Sequence, residues 1–256
     1  MIRLKTPEDI KTLTEGGRRL GKLMSELKDM VKPGLDTRVL EDYAMKRITE
    51  AGDLAAFYNY KPVGAKRPYP AALCVSINNE VVHGIPNEEV KIIQDGDVVC
   101  LDLGLVHEGL ITDHAVTVIA GKSTKEHKDI VAASYEALDA GIAAAKAGSH
   151  VGDIGAAISA VAEKHGYGLV TALAGHGVGY RVHEDPYVPN VGKKGQGELL
   201  KPGLVIAIEP MLTFGSGDVK LLKDGYTYVT HDGKVATHVE HTIVVTEQGP
   251  RVLTRA

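Results

Sequence analysis

Two aspartates stand where aspartates are costly. Asp102 and Asp113 lie within Val98 to Ile119, where two β-rich apolar runs are joined by a short turn region at His107-Glu108-Gly109. A carboxylate inside a buried strand is expensive unless it is paired or bound to a metal. The plain alternative is a pair of strand-end aspartates facing water. On this stretch alone both readings stay open.

The surrounding elements can be read from period and punctuation. Thr6-Pro7-Glu8-Asp9 is a helix start: a cap, a proline at the first position and acids in the first turn. Ile10, Leu13, Leu20, Leu23, Leu27 and Met30 continue it at helical spacing. A second helix is predicted from about Thr37 to Ala51, with Val39, Leu40, Tyr43 and Ile48 on one face and Gly52 as its stop. The stretch from Phe57 to Pro70 holds three prolines, a glycine and several aromatics, so it reads as a loop that could line a pocket. Ala72 to Ile77 reads as a strand, and Val81 to Pro86 as a short strand or its exit. Ser123-Thr124-Lys125-Glu126 carries a capping-box signal before a long helix, and another helix is expected from about Asp153 to His165. A stretch rich in glycine and histidine, Ala174 to Pro186, precedes two further strands, Leu204 to Pro210 and Thr237 to Thr246.

The order repeats. Lys32-Pro33-Gly34 leads into a helix that stops at Gly52, and Lys146-Ala147-Gly148 leads at the same spacing into one that stops at Gly166. Gly96 to Asp102 lines up with Gly203 to Glu209, Asp113-His114 with Glu240-His241, and His83-Gly84-Ile85-Pro86 with His183-Glu184-Asp185-Pro186. Two such halves, about 1–121 and 122–256, most simply form a single domain. It would be an α+β fold with approximate two-fold symmetry and helices covering one face of a mainly antiparallel sheet. Under that symmetry Asp102, Asp113, Glu209 and Glu240 are equivalent and can converge. Four buried carboxylates without counter-charge would protonate or repel. Two divalent cations would neutralise them, which turns isolated acids into a dinuclear metal hypothesis.

These residues resemble a known family. Asp102 and Asp113 at their spacing, Gly175 to Gly179, Ile208-Glu209-Pro210-Met211 and Glu240-His241-Thr242 are similar to the type I methionine aminopeptidases, which have the pita-bread fold. The resemblance implies Asp102, Asp113, His176, Glu209 and Glu240 as metal ligands, with Asp113 and Glu240 bridging. It implies removal of the N-terminal methionine from nascent proteins, with a small second residue preferred. His83 and His183 resemble the family's two non-ligand histidines and would hydrogen-bond the peptide and stabilise developing charge. Glu209 would double as a proton shuttle. The donor set is oxygen-rich and hard, suited to cobalt, manganese or iron and also open to zinc.

By position, Tyr69 and Cys74 resemble the family's pocket residues, and Phe57 and Tyr58 could contribute. Tyr226 falls where several relatives carry a tryptophan, and the Phe57 to Pro70 loop looks longer than in common relatives. His107, His165 and His231 read as surface or turn residues. His114 and His241 directly follow ligand acids, so on a strand they should point to the opposite face.

Composition bounds the rest. The 256 residues are 44% hydrophobic and carry a net charge of −4, which gives no support for DNA binding. Two cysteines suggest no disulfide framework. The N-terminus has no apolar signal region and no run could span a membrane, so a cytoplasmic monomer is expected. The expected partner is the N-terminus of a nascent chain. Contact with the ribosome is a further option, through Lys193-Lys194 or Lys220 and Lys223. The competing readings are a proline-specific relative, of Xaa-Pro aminopeptidase or prolidase type, and a non-catalytic binding protein on the same fold.

Overall fold

The structure is a computed structural model and describes residues 2–255; Met1 and Ala256, the ends of the expected domain, lie outside them. Its elements run α1 (Pro7–Met30), α2 (Thr37–Glu50), β1 (Leu54–Ala55), β2 (Leu73–Ile77), β3 (Glu80–Val82), β4 (Val98–His107), β5 (Leu110–Ile119), α3 (Lys125–Ala144) and α4 (Val151–His165). There follow β6 (Gly168–Leu169), β7 (Gly175–Gly177), β8 (Glu184–Val188), β9 (Val205–Ile208), β10 (Met211–Thr213), β11 (Val219–Leu221), β12 (Tyr228–Thr230), β13 (Ala236–His238), β14 (Glu240–Thr246) and β15 (Gly249–Val252).

Among the described residues, nine strands form the main sheet in the order β1-β4-β5-β14-β9-β7-β8, with β2 also on β4 and β15 on β14. Its ladders are antiparallel. Both halves of the chain therefore build one sheet, joined where β5 meets β14. Two small three-stranded sheets, β13-β10-β6 and β11-β12-β3, sit beside it. Among the described residues, four helices and this curled sheet make the α+β architecture that the repeat implies and the pita-bread fold that the resemblance implies.

Alternation along β4 separates core from site. Val99, Leu101, Leu103 and Leu105 pack with Leu20, Leu27, Leu40 and Ile48 of α1 and α2. The residues between them, Cys100, Asp102 and Gly104, face the other way by the period of two. The second half mirrors this: Ile206, Ile208, Ile243 and Val245 pack with Ile130, Leu138, Ile154 and Ile158 of α3 and α4. Each half thus closes its own helix-on-sheet core, and the opposite face of the sheet is left for polar chemistry.

Several sequence-based boundaries shift. The cap of α3 is Thr124, not Ser123, accepting from the His127 amide, and no reciprocal bond from Glu126 closes a box. Helix α4 begins at Val151, two residues early, because Asp153 reaches back to the His150 N–H at 2.7 Å. Val39 lies off the buried face of α2 and is 46% exposed. The predicted strand Thr237 to Thr246 is broken at Val239 into β13 and β14, which belong to different sheets.

Candidate metal centre and pocket

The five predicted ligands fall on five consecutive neighbours of the main sheet. Asp102 is on β4, Asp113 on β5, Glu240 opens β14, Glu209 directly follows β9, and His176 is on β7. The register explains their convergence. Ala115 pairs with Asp102 on one side and with Glu240 on the other. Asp113, two residues back along β5, shares that face. Three carboxylates therefore surround one small side chain that leaves room between them. At the β5–β14 junction the Thr242 hydroxyl accepts from the Asp113 amide at 2.8 Å and donates to the Asp113 carbonyl at 2.7 Å, bracing the strands beside the acids.

The group is buried: Asp102, Asp113 and Glu240 are 6%, 3% and 2% exposed. Asp113, His176 and Glu240 each offer a ligand atom within 4.8 Å of the others'. Asp102 and Glu209 line the same cavity. The His176 Nδ1–H donates to the Gly177 carbonyl at 2.9 Å, which leaves the Nε2 lone pair to face the acids, 3.5 Å from Glu209 Oε1. Burial and mutual repulsion raise Asp102 and Glu240 well above the usual carboxylate range. Burial pushes Asp113 up to about 7 and Glu209 up to about 8. The same burial drives His176 down to about 3 and His83 down to about 4, so both rings are neutral near pH 7.

The acids open into a small cavity of about 90 Å³. Phe57, Tyr69, Cys74 and Tyr226 form its apolar end, and His83 and His183 border it. That volume is several times the space one water needs, enough for a single unbranched side chain. Tyr69 donates to the Gly84 carbonyl at 3.1 Å and meets the Tyr226 ring edge-on at 5.1 Å. His83 holds a left-handed backbone, φ 60°, an uncommon state for a non-glycine residue that is kept where packing enforces it. Gly84 follows because a Cβ there would fall 2.2 Å from the Val75 carbonyl oxygen.

The sequence matches the model of metallopeptidase family M24 over residues 11–247. The methionine aminopeptidase of Aquifex aeolicus is 43% identical, the match covering 99% of this chain and 98% of that one. Methionine aminopeptidase 1 of Bacillus subtilis is 38% identical with full coverage of both. The chain belongs to the methionine aminopeptidases of family M24. The crystal structure of the methionine aminopeptidase of Thermotoga maritima superposes with a TM-score of 0.95 at 37% identity, covering 100% of both chains. A prolidase from Pyrococcus furiosus, 21% identical with a TM-score of 0.76, shares the fold.

Some expectations for this methionine aminopeptidase pocket need correction. Tyr58 is 47% exposed and does not line the cavity; Tyr60, two residues on, does. The turn at Asn59, with φ 62°, sends the two tyrosines to different sides. His107 is not a surface residue: its side chain is buried against Asp53, with Nδ1 2.7 Å from Oδ1. His165 and His231 are exposed, as expected. His114 and His241 pair across β5 and β14 and stack at 4.5 Å, with His114 Nδ1 donating to the Glu240 carbonyl. His238 was missed. It is 2% exposed, lines the cavity and lies beside Glu209. Its place two residues before Glu240, hence on the same side of an extended chain, was the available signal.

Proposed function

We propose that the chain removes the N-terminal methionine from nascent polypeptides by metal-assisted peptide hydrolysis, with a small second residue preferred. The observation that carries this is the junction of the buried acid cluster with a one-side-chain apolar pocket in a single cavity. The donor set fits divalent metal. Asp102 Oδ1 and Glu240 Oε1 are buried with no hydrogen-bond partner among the described residues, which is costly for carboxylates unless a cation faces them. Asp102, Asp113, His176, Glu209 and Glu240 would hold two ions, with cobalt, manganese or iron suited and zinc acceptable. Bound there, the ions would supply Lewis-acid polarisation and a water nucleophile at neutral pH, as the general scheme for two-metal aminopeptidases describes.

The chain's own residues supply the rest. Phe57, Tyr69, Cys74 and Tyr226 enclose the methionine side chain and set its depth. His83 and His183, as neutral rings, donate to the scissile carbonyl oxygen as it gains charge. The Glu209 carboxylate accepts the proton lost by the attacking water and returns it to the leaving amine. The substrate is the N-terminus of a newly made chain, so we place the protein in the cytoplasm as a monomer of one catalytic domain. No helix among the described residues is long and apolar enough to cross a membrane.

The test is turnover of Met-Ala-Ser against an Ala-Pro-initiated peptide by apo protein reloaded anaerobically with Mn²⁺, Fe²⁺ or Co²⁺. Metal-dependent release of methionine alone is expected. Cleavage before proline would move the chain to the proline-specific branch. Metal binding without any cleavage would favour a binding protein.

A further inference from the structure

The loop that begins at Phe57 does more than wall the pocket. The Asn59 amide donates to the Tyr69 carbonyl and the Tyr69 amide to the Tyr60 carbonyl, both at 2.9 Å. Residues 60 and 69 are thus pinned together at the neck of a closed loop. Its far side is tied down by Arg67, which donates to the Asp224 carbonyl at 3.1 Å and pairs with Glu88, while the Tyr226 hydroxyl donates to the Arg67 carbonyl. The neck aims Tyr60 across the cavity. Its hydroxyl lies 3.0 Å from Nδ1 of His183, and the two rings are 5.6 Å apart and tilted.

We propose that Tyr60 is a positioning residue whose hydroxyl donates to His183 Nδ1, holding that imidazole as the Nε2–H tautomer with Nε2 turned toward the bound peptide. A neutral imidazole has one donor and one acceptor nitrogen, and the partner at one nitrogen decides the role of the other. With Nδ1 accepting, Nε2 must donate, which is what stabilising a carbonyl oxygen requires. Burial raises the phenol above its usual range, so it keeps its proton to donate. Because the neck also holds Tyr69, filling the methionine pocket and aligning His183 are mechanically joined. This inference rests on the proposed role of His183 as a donor to the substrate carbonyl.

Two measurements test it separately from that role. On Met-Ala-Ser, Tyr60→Phe should lower kcat roughly tenfold, the scale of one hydrogen bond, with KM changed less than about twofold. The same substitution should cost nothing further in a His183→Ala background. An unchanged kcat, or an equal loss in both backgrounds, overturns the proposal. Independently, ¹⁵N NMR of the histidine rings should show His183 protonated at Nε2 in the wild type and a mixture of tautomers in Tyr60→Phe. A ring protonated at Nδ1 in the wild type overturns it even if the enzyme proves to have another substrate. Failure of the wild type to release methionine would count against the function alone, since the ring spectra still decide the tautomer.

Discussion

The Nε2 atom of His238 lies 3.2 Å from Oε2 of Glu209, on the oxygen opposite the one His176 approaches at 3.5 Å. The Glu209 carboxylate is thus flanked by two imidazoles. The His238 contact is short yet unaligned, and both ring nitrogens are buried without a hydrogen-bond partner among the described residues. Burial drives His238 down to about 3, so it meets Glu209 as a neutral ring. His238→Ala should weaken Mn²⁺ affinity by roughly 10- to 100-fold, the usual cost of losing a ligand's support, with a parallel fall in kcat. His238→Gln should recover most of both. Calorimetric titration of the apo protein with Mn²⁺ checks this; unaltered affinity in the alanine variant would reduce His238 to packing.

His176→Ala removes the imidazole from a site whose acids remain. Turnover of Met-Ala-Ser should vanish while circular dichroism and the thermal midpoint stay close to wild type. Near-normal turnover with metal retained would refute His176 as a ligand.

His83→Ala should lower kcat by roughly 10²- to 10³-fold, the scale of one lost donor to a developing oxyanion, and leave metal content unchanged. Metal analysis beside the kinetics separates the two effects; coincident loss of metal would assign His83 to the centre itself.

Gly104 faces Asp113 across the hairpin, and a Cβ there would lie 2.7 Å from Phe57 Cε1 and 2.9 Å from Ala56 Cβ. Gly104→Ala should push Phe57 into or out of the pocket. The expected result is a rise in KM for methionine peptides, with metal affinity retained. An unchanged KM would show that Phe57 yields without disturbing the pocket.

Glu41 of α2 accepts from the Ala72 and Leu73 amides, both at 2.8 Å, at the start of the strand that carries Cys74. Burial raises its carboxyl above the ordinary 4.5, and the two amides only partly offset this. A raised folded pKa means that the native state holds the proton more tightly. Its stabilising contribution is therefore present below about pH 4.5 and is lost as pH rises through the folded value. The stability difference between wild type and Glu41→Gln should shift against wild type over that rise. Glu41→Gln should also cost about 1–3 kcal/mol at pH 7 by leaving one amide poorly matched. Urea melts across pH give both numbers, and a pH-independent difference would remove the titration from the account.

Much was legible in the sequence because its signals are local or repeated. Helix starts at Thr6-Pro7 and stops at Gly52 and Gly166 are written in single residues that favour one backbone state. The four acids could be collected because matched segments recur in the same order in the two halves, so symmetry stood in for three-dimensional knowledge. His114 and His241 could be set aside because side chains alternate along an extended chain. The tertiary structure decided what depends on register and on loop path. That Asp102 and Glu240 share Ala115 follows from how β5 pairs with β14, a contact between residues more than a hundred positions apart. Tyr60 rather than Tyr58 enters the cavity because Asn59 turns with φ 62°, a choice that no hydrophobic pattern specifies in a loop. His238 reaches Glu209 because β13 and β14 part at Val239, and His107 is buried because Asp53 meets it from the turn between α2 and β1. A periodic pattern specifies which way a side chain faces; only packing specifies what stands opposite.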